Sequence, residues 1–278
     1  MTARRRTTKS MSRFPFLLLS SFALAATACS GGTYAFPDGA APHDDASADG
    51  PTLLPDASAI DSSTPDVRTD ATAAPRPVVL NEIAPNVSGG ADLVELRALT
   101  SGSLAGFTLE QDLASPTLLA TLPAINVAAG DLVVVHLGAS SGIQSETSNK
   151  SACASATCYP NAWDVFGGST GITFSARVLV VRDSAKAIVD GAAFYRNGLT
   201  SGSTFPGDVM ALQKAGHWLP ANCNGSPCST TELAESVAAD WLGVGSSGTG
   251  STVARKTSSD TDLAGDWAVG PSTLGAPN

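Results

Sequence analysis

Few side chains in this chain could do covalent or metal chemistry, and their spacing limits what that chemistry could be. The 278 residues include three histidines and five cysteines. A hydrolytic site needs a nucleophile, a base and an orienting acid held together. Beyond His43, which sits in the polar run Pro42-His43-Asp44-Asp45 and reads as solvated, only His136 and His217 could act as base. His136 stands inside an alternating apolar run and reads as outward-facing or capped. His217, beside Trp218, reads as a packing or turn position. No convergent triad can be assembled from them. Asp260, Asp262 and Asp266 form the one dense carboxylate cluster. Asp260-Thr261-Asp262-Leu263-Ala264-Gly265 mimics the start of a calcium loop. Ala264, however, stands where another oxygen ligand belongs, and Pro271 where the terminal glutamate belongs. Calcium is the sharper reading of these three. The plainer one, preferred here, is that they cap turns by accepting backbone N–H bonds. No cofactor is expected.

Four cysteines fall into two C-x4-C pairs, Cys153 with Cys158 and Cys223 with Cys228, each in a loop-like stretch. In an exported chain they should be oxidised. Three pairings are possible. The small and turn-forming residues around each pair favour local bridges that pin loops and leave the core to hold itself. A four-cysteine zinc site is the alternative, against which stands the usually closer C-x2-C spacing of structural zinc sites. Trp163, Trp218, Trp241 and Trp267 could offer stacking faces to a sugar or be buried in a core.

Export itself is read from residues 1–28. Arg4, Arg5, Arg6, Lys9 and Arg13 precede an apolar run, Phe14 to Ala26, too short to span a bilayer, which takes about 20 residues. Leu24-Ala25-Ala26-Thr27-Ala28-Cys29 then resembles a bacterial lipoprotein lipobox, with Ala26 where leucine is usual. The resemblance implies that Cys29 becomes the lipidated N-terminus of an envelope protein, and Ser30 fits outer-membrane sorting under the enteric pattern. The other reading is cleavage after Ala28 and a secreted chain. Residues 29–76 read as a tether: Ala, Asp, Pro and Ser dominate, with eight Asp against Arg68 and Arg76, and no sustained apolar period. Such a segment cannot offset its chain entropy by burial and should stay extended. The formal net charge is −9, and losing the five basic residues of the signal makes the remainder more acidic. That disfavours nucleic acid and anionic lipid surfaces.

Residues 77–278 should form one all-β domain, a sandwich or barrel, since short apolar runs recur between turn signals without a long helical period. Val78 to Ala84 and Leu93 to Leu99 should pair as a hairpin. Closed about Ser88 and Gly89, it sets Ile83 against Val94 and Glu82 against Glu95, and places Asn81 on the face of Ile83. Two glutamates opposite each other are unfavourable. Either a bulge alters the register or donors satisfy both carboxylates, Arg97 being one candidate. Leu104 to Leu109, Asp131 to Leu137, Ile172 to Arg182 and Ala187 to Tyr195 read as further strands, the last two turning at Asp183-Ser184-Ala185-Lys186. Val209 to Lys214 and His217 to Leu219 read as a weaker pair about Gly216. Residues 138–170 and 220–250 read as long loops. Thr231 to Leu242 could be a short helix capped by Thr230 or Thr231. Val253 to Asn278 reads as a strand and a turn-rich tail.

In order, these pieces resemble the bacterial form of the lamin-tail domain family. The pieces are Val79-Leu80-Asn81-Glu82-Ile83 with Asp92-Leu93-Val94-Glu95-Leu96; Leu104-Ala105-Gly106-Phe107-Thr108-Leu109; Ala129-Gly130-Asp131-Leu132-Val133-Val134; and Arg255, Asp260-Thr261-Asp262, Asp266-Trp267 and Leu274-Gly275-Ala276-Pro277-Asn278. The resemblance implies an immunoglobulin-like β-sandwich with no catalytic residues. Asn81, Glu82, Asp92, Glu95, Gly106, Asp266, Trp267 and Asn278 would then be structural motif positions. The expected function is a non-catalytic binding or structural module tethered to the cell envelope. Its partner would be an unspecified protein or glycan, and its only membrane contact the lipid anchor. The alternatives are a carbohydrate- or calcium-dependent adhesin and a cryptic extracellular hydrolase.

Overall fold

The computed structural model of the protein describes residues 76–85, 92–138, 143–198, 202–245 and 250–278. The expected signal, Cys29, the tether up to residue 75 and the tip of the first hairpin lie outside the described residues. In chain order the elements are β1 (Val78–Ala84), β2 (Asp92–Ala98), β3 (Gly102–Ser103), β4 (Thr108–Gln111), β5 (Thr117–Thr121), β6 (Asn126–Val127), β7 (Leu132–Leu137), β8 (Ala162–Phe166), β9 (Arg177–Arg182) and β10 (Ile188–Tyr195). Two helices follow, α1 (Phe205–Lys214) and α2 (Thr231–Ser236), then β11 (Ala239–Asp240), β12 (Ser251–Arg255), a 3-10 turn at Ala264–Asp266 and β13 (Trp267–Pro271).

The fold is an all-β sandwich. One sheet runs β13-β12-β1-β2-β7-β8 and the other β11-β10-β9-β4-β5, with β3 and β6 as a small separate ribbon. Pairing is antiparallel except for β7 with β8 and β10 with β11. Leu80, Ile83, Val94, Leu96, Val133 and Val135 from the first sheet share one core with Leu109, Val178, Val180 and Phe194 from the second. Alternation along each strand puts these side chains inward. On the reverse of the first sheet, Leu132, Val134 and Ala162 form a second, small cluster with Leu93 and Tyr159. Strand β7 is therefore buried along its whole length.

The first hairpin pairs Glu82 with Glu95 and Ile83 with Val94, as expected, and also carries a bulge between Leu80 and Glu82. Leu80 and Ile83 are three residues apart, so strict alternation would send them to opposite faces. The extra residue, Asn81, returns both to the core. It also turns the Asn81 amide towards Glu95, away from the Ile83 face where it was expected.

Four readings of the sequence change. Val209 to Lys214 belongs to α1, not a strand. Pro206 opens the helix, and Phe205, Val209 and Leu212 recur at helical spacing and are buried. Strand β8 lies inside the expected 138–170 loop. Its parallel partner is β7, a pairing no local turn signal announces. Strand β5 was missed because it is short and exposes Leu118. The tail after β12 contains the edge strand β13. Helix α2 forms as expected but ends at Ser236, with Thr230 capping Leu233 N. Both disulfides are local, Cys153–Cys158 and Cys223–Cys228. The second does more than pin a loop, because Cys223 and Cys228 are buried members of the main core. No helix among the described residues is long and apolar enough to cross a membrane.

Candidate functional site

Glu82 and Glu95 lie side by side on the outer face of the first sheet, both fully buried. The cover is the chain after β13, which crosses this face as a strap. Glu82 Oε1 accepts from Thr252 Oγ1 (2.7 Å) and Thr273 N (2.8 Å), and Oε2 from Thr273 Oγ1 (2.5 Å). Glu95 Oε1 accepts from Asn81 Nδ2 (2.7 Å) and Oε2 from Gly275 N (2.6 Å). Asn278 Nδ2 closes the strap on Asn81 O and Arg255 O. Gly275 has a φ of +77°, and a Cβ there would come within 2.8 Å of Tyr159, so the strap needs glycine at this point. Burial pushes the Glu95 carboxyl up to about 7. The Asn81 and Gly275 N–H groups oppose this rise, and Glu82 adds to it. Arg97, one candidate partner of the pair, acts on Glu95 through its charge, which opposes the rise, and gives its hydrogen bond to Ser258 O.

A second network lies at the junction of the two sheets. Asp190, in mid-β10, is fully buried, and its Oδ2 accepts from Leu80 N (2.6 Å), joining the sheets at the bulge. Arg255, only 2% exposed, reaches Asp190 Oδ2 (3.3 Å), Asp260 Oδ1 (2.5 Å) and Asp266 Oδ2 (3.5 Å), and donates through Nε to Leu80 O (2.5 Å). Its guanidinium lies 4.7 Å from the Trp267 ring centre. Arg76 brings a second guanidinium to Asp260 (2.8 Å) and grips Asp262 in a two-pronged pair of 2.8 and 2.6 Å. Folded contacts thus begin one residue before the expected boundary at 77. Arg76 is held well above its usual range, chiefly by the Asp262 hydrogen bond. Burial raises Asp190. Burial also pushes Asp260 up, but the Arg255 charge, the Asp262 N–H and Arg76 outweigh it and leave it low.

The three expected calcium candidates thus point in different directions. Asp260 and Asp266 turn to Arg255, and Asp266 also accepts from Thr261 N, Thr261 Oγ1 and Leu263 N. Asp262 turns to Arg76 and lies beside His217 and Asp190. His217 follows α1 through Gly216, whose φ is +79°. It lines a cavity of about 480 Å³ together with Arg76, Phe107, Asp183 and Ile188. Its ring is pushed towards the neutral form, first by burial and then by Arg76.

His136 is elsewhere, on the outer face of β7. Its Nε2 is 2.7 Å from Asp164 Oδ1 and its ring stacks on Phe166 at 4.4 Å. The disulfide loop covers it. Asp164 Oδ2 accepts from Tyr159 N, while Glu146 accepts from Asp164 N and Cys153 N. His136 is therefore sealed in at 3% exposure, with Asp164, Phe166 and Tyr159 against its ring. All four tryptophans are buried, so none offers a stacking face.

Of the expected motif residues, Asn81, Glu82, Glu95 and Asn278 converge on the strap, and Asp266 and Trp267 on Arg255. Asp92, accepting from Ile172 N, and Gly106, at φ +78°, serve separate turns. Sequence reasoning passed over Asp190 and left Arg76 in the tether. An acid inside the apolar run Ile188-Val189-Asp190-Gly191-Ala192 was the available signal, because a buried carboxylate demands a partner. Arg76 carried no such mark. A family model described as "protein second domain" matches residues 77–269. No curated protein matches the chain.

Proposed function

The chain belongs to that second-domain family, and from its own sequence motifs we propose that it is an envelope lipoprotein presenting a non-catalytic, lamin-tail-like sandwich as a binding or structural module. Cys29 is the anchor and residues 29–76 are the spacer in this reading. One observation supports it above the others. The motif side chains are consumed in holding the domain shut: Glu82 and Glu95 by the strap, Asp266 and Trp267 by Arg255. Recognition then falls to loops on a rigid scaffold, the usual place for it, and two of those loops are tied by disulfides. A carbohydrate- or calcium-dependent adhesin has less in its favour. The indoles are buried, and Asp260 and Asp262 are paired with arginines. A hydrolase would have to use His217 as its base, because His136 is sealed.

The test uses the full chain in its membrane-bearing host. Wild-type protein should sediment with membranes, and Cys29→Ala should move to the soluble fraction. Retention of the variant on membranes would discard the anchor. Proximity labelling from the anchored domain should then mark an envelope partner, and replacing the Cys223–Cys228 loop should remove that mark. Labelling indifferent to loop exchange would count against the loops as the binding surface.

A further inference from the structure

The geometry points to a binding site for a divalent transition-metal ion formed by Asp190, His217 and Asp262, in which the Arg76 guanidinium holds the cation position until a metal takes it. One ligand atom from each of the three residues lies within 4.8 Å of the others. Asp190 is fully buried, and its Oδ1 has no hydrogen-bond partner. Its Oδ2 is already committed to Leu80 N and Arg255. Arg76 Nη1 touches Asp262 Oδ1 at 2.8 Å and is 3.5 Å from Asp190 Oδ1, so these two oxygens face the same point. His217 Nδ1 is likewise without a hydrogen-bond partner. A buried carboxylate oxygen whose nearest cation stands 3.5 Å away and an imidazole nitrogen without a hydrogen bond are both incompletely satisfied, and a metal ion held by the three residues would serve them.

The donor set decides the class of ion. Two carboxylates with an imidazole suit first-row divalent ions such as Zn²⁺ or Mn²⁺, whereas Ca²⁺ and Mg²⁺ favour all-oxygen shells. Three protein ligands would leave a further coordination position. The 480 Å³ cavity lined by Arg76 and His217 opens at the edge of this site. The charge balance also favours an added cation, since Asp190, Asp260 and Asp262 face two guanidiniums. The backbone fixes the ligands beforehand, with Leu219 N bonded to Asp262 O at 2.6 Å, tying the two loop segments together. Of the two guanidiniums Arg76 is the one that reaches solvent, with its side chain 17% exposed against 1% for Arg255. The three ligands are widely separated in sequence and come from a strand and two loops, so no linear motif could reveal them.

Titration calorimetry of the untagged full chain with ZnCl₂ tests the site. One Zn²⁺ should bind, with Ca²⁺ giving no comparable heat. His217→Ala and Asp262→Asn should each weaken binding by more than about tenfold, and Arg76→Ala should tighten it by on the order of tenfold or more. Asp190→Asn is avoided because Asp190 also holds Arg255, and a melting curve for each variant confirms that it is folded. Zn²⁺ should shift one histidine ring resonance, the one lost in His217→Ala. Binding by Arg76→Ala but not by the wild type would overturn the claim that a metal displaces Arg76. No uptake by either protein, uptake unchanged in His217→Ala and Asp262→Asn, or preference for Ca²⁺ would overturn the site.

Discussion

Burial raises the Glu95 carboxyl from 4.5 to about 7, so between those values the folded protein keeps a proton that the unfolded chain has released. Stability from this group is present below the unfolded value and is lost as pH climbs towards the folded one, by up to about 3 kcal/mol. The melting temperature of the wild type should therefore fall between about pH 5 and pH 7.5. Burial raises Asp112 and Asp190 as well, so Glu95→Gln is needed to isolate the effect. The variant should show a visibly flatter profile. It should also be lower above about pH 7, where the ionised carboxylate accepts from both donors and the amide presents N–H₂ to one of them, at about 1–3 kcal/mol. An unchanged slope would assign the pH dependence elsewhere. Arg255 gives the second test at this scale. Its removal leaves Asp190 buried without its closest guanidinium, and Arg255→Ala should lose about 3–5 kcal/mol in urea unfolding. Arg255→Lys should recover only part of this, since an ammonium cannot span Leu80 O and three carboxylates at once. The pairing of Glu82 with Glu95 was legible from the hairpin alone. Their donors were not, because Thr273 and Gly275 lie some 180 residues away in sequence.

Helix α1 can lie against β10 because Gly191 has no side chain. A Cβ there would stand 2.6 Å from Leu212 Cδ1 and 3.2 Å from Leu179 O, the latter a backbone atom that cannot step aside. Gly191→Ala should cost about 1–3 kcal/mol by overpacking. Leu212→Ala in that background should cost less than it does alone, a coupling that a double-mutant cycle measures. Asp208 joins the same helix to the β4–β5 turn by accepting from Leu113 N and Ala114 N. Elements marked by local chemistry were readable: the β1–β2 and β9–β10 hairpins from their turns, β7 from its β-branched run, and α2 from its cap. Helix α1 was misread because Val209 to Leu212 is short and apolar, a pattern that strand and helix share until Pro206 and Phe205 are counted with it.

At the scale of the whole molecule, the sandwich is held by its two-sheet core and the disulfides assist it. A closed loop of this length contributes about 2 kcal/mol in the chain-entropy view. The Cys153→Ser/Cys158→Ser pair should lower stability by about that amount. Cys223→Ser/Cys228→Ser should cost more, because its sulfurs lie in the main core and the hydroxyls would be buried. Both variants should still unfold cooperatively, and loss of the cooperative transition in either would mean that the core does not stand alone. By itself the sequence determined the β class and favoured the local disulfides and the Glu82–Glu95 register, because these depend on neighbours a few residues apart: alternation, turn chemistry and short cysteine spacing. It also supplied every charged residue of the two buried networks. Only the tertiary structure decided how those charges pair. Asp190, Arg255, Asp260 and Arg76 meet where two sheets and the chain's entry into the domain come together, and the strap reaches Glu82 and Glu95 only once β12 and β13 have placed it. Pairing over such separations is set by which groups burial forces together and leaves in need of a partner, a condition that exists only after the sheets have packed.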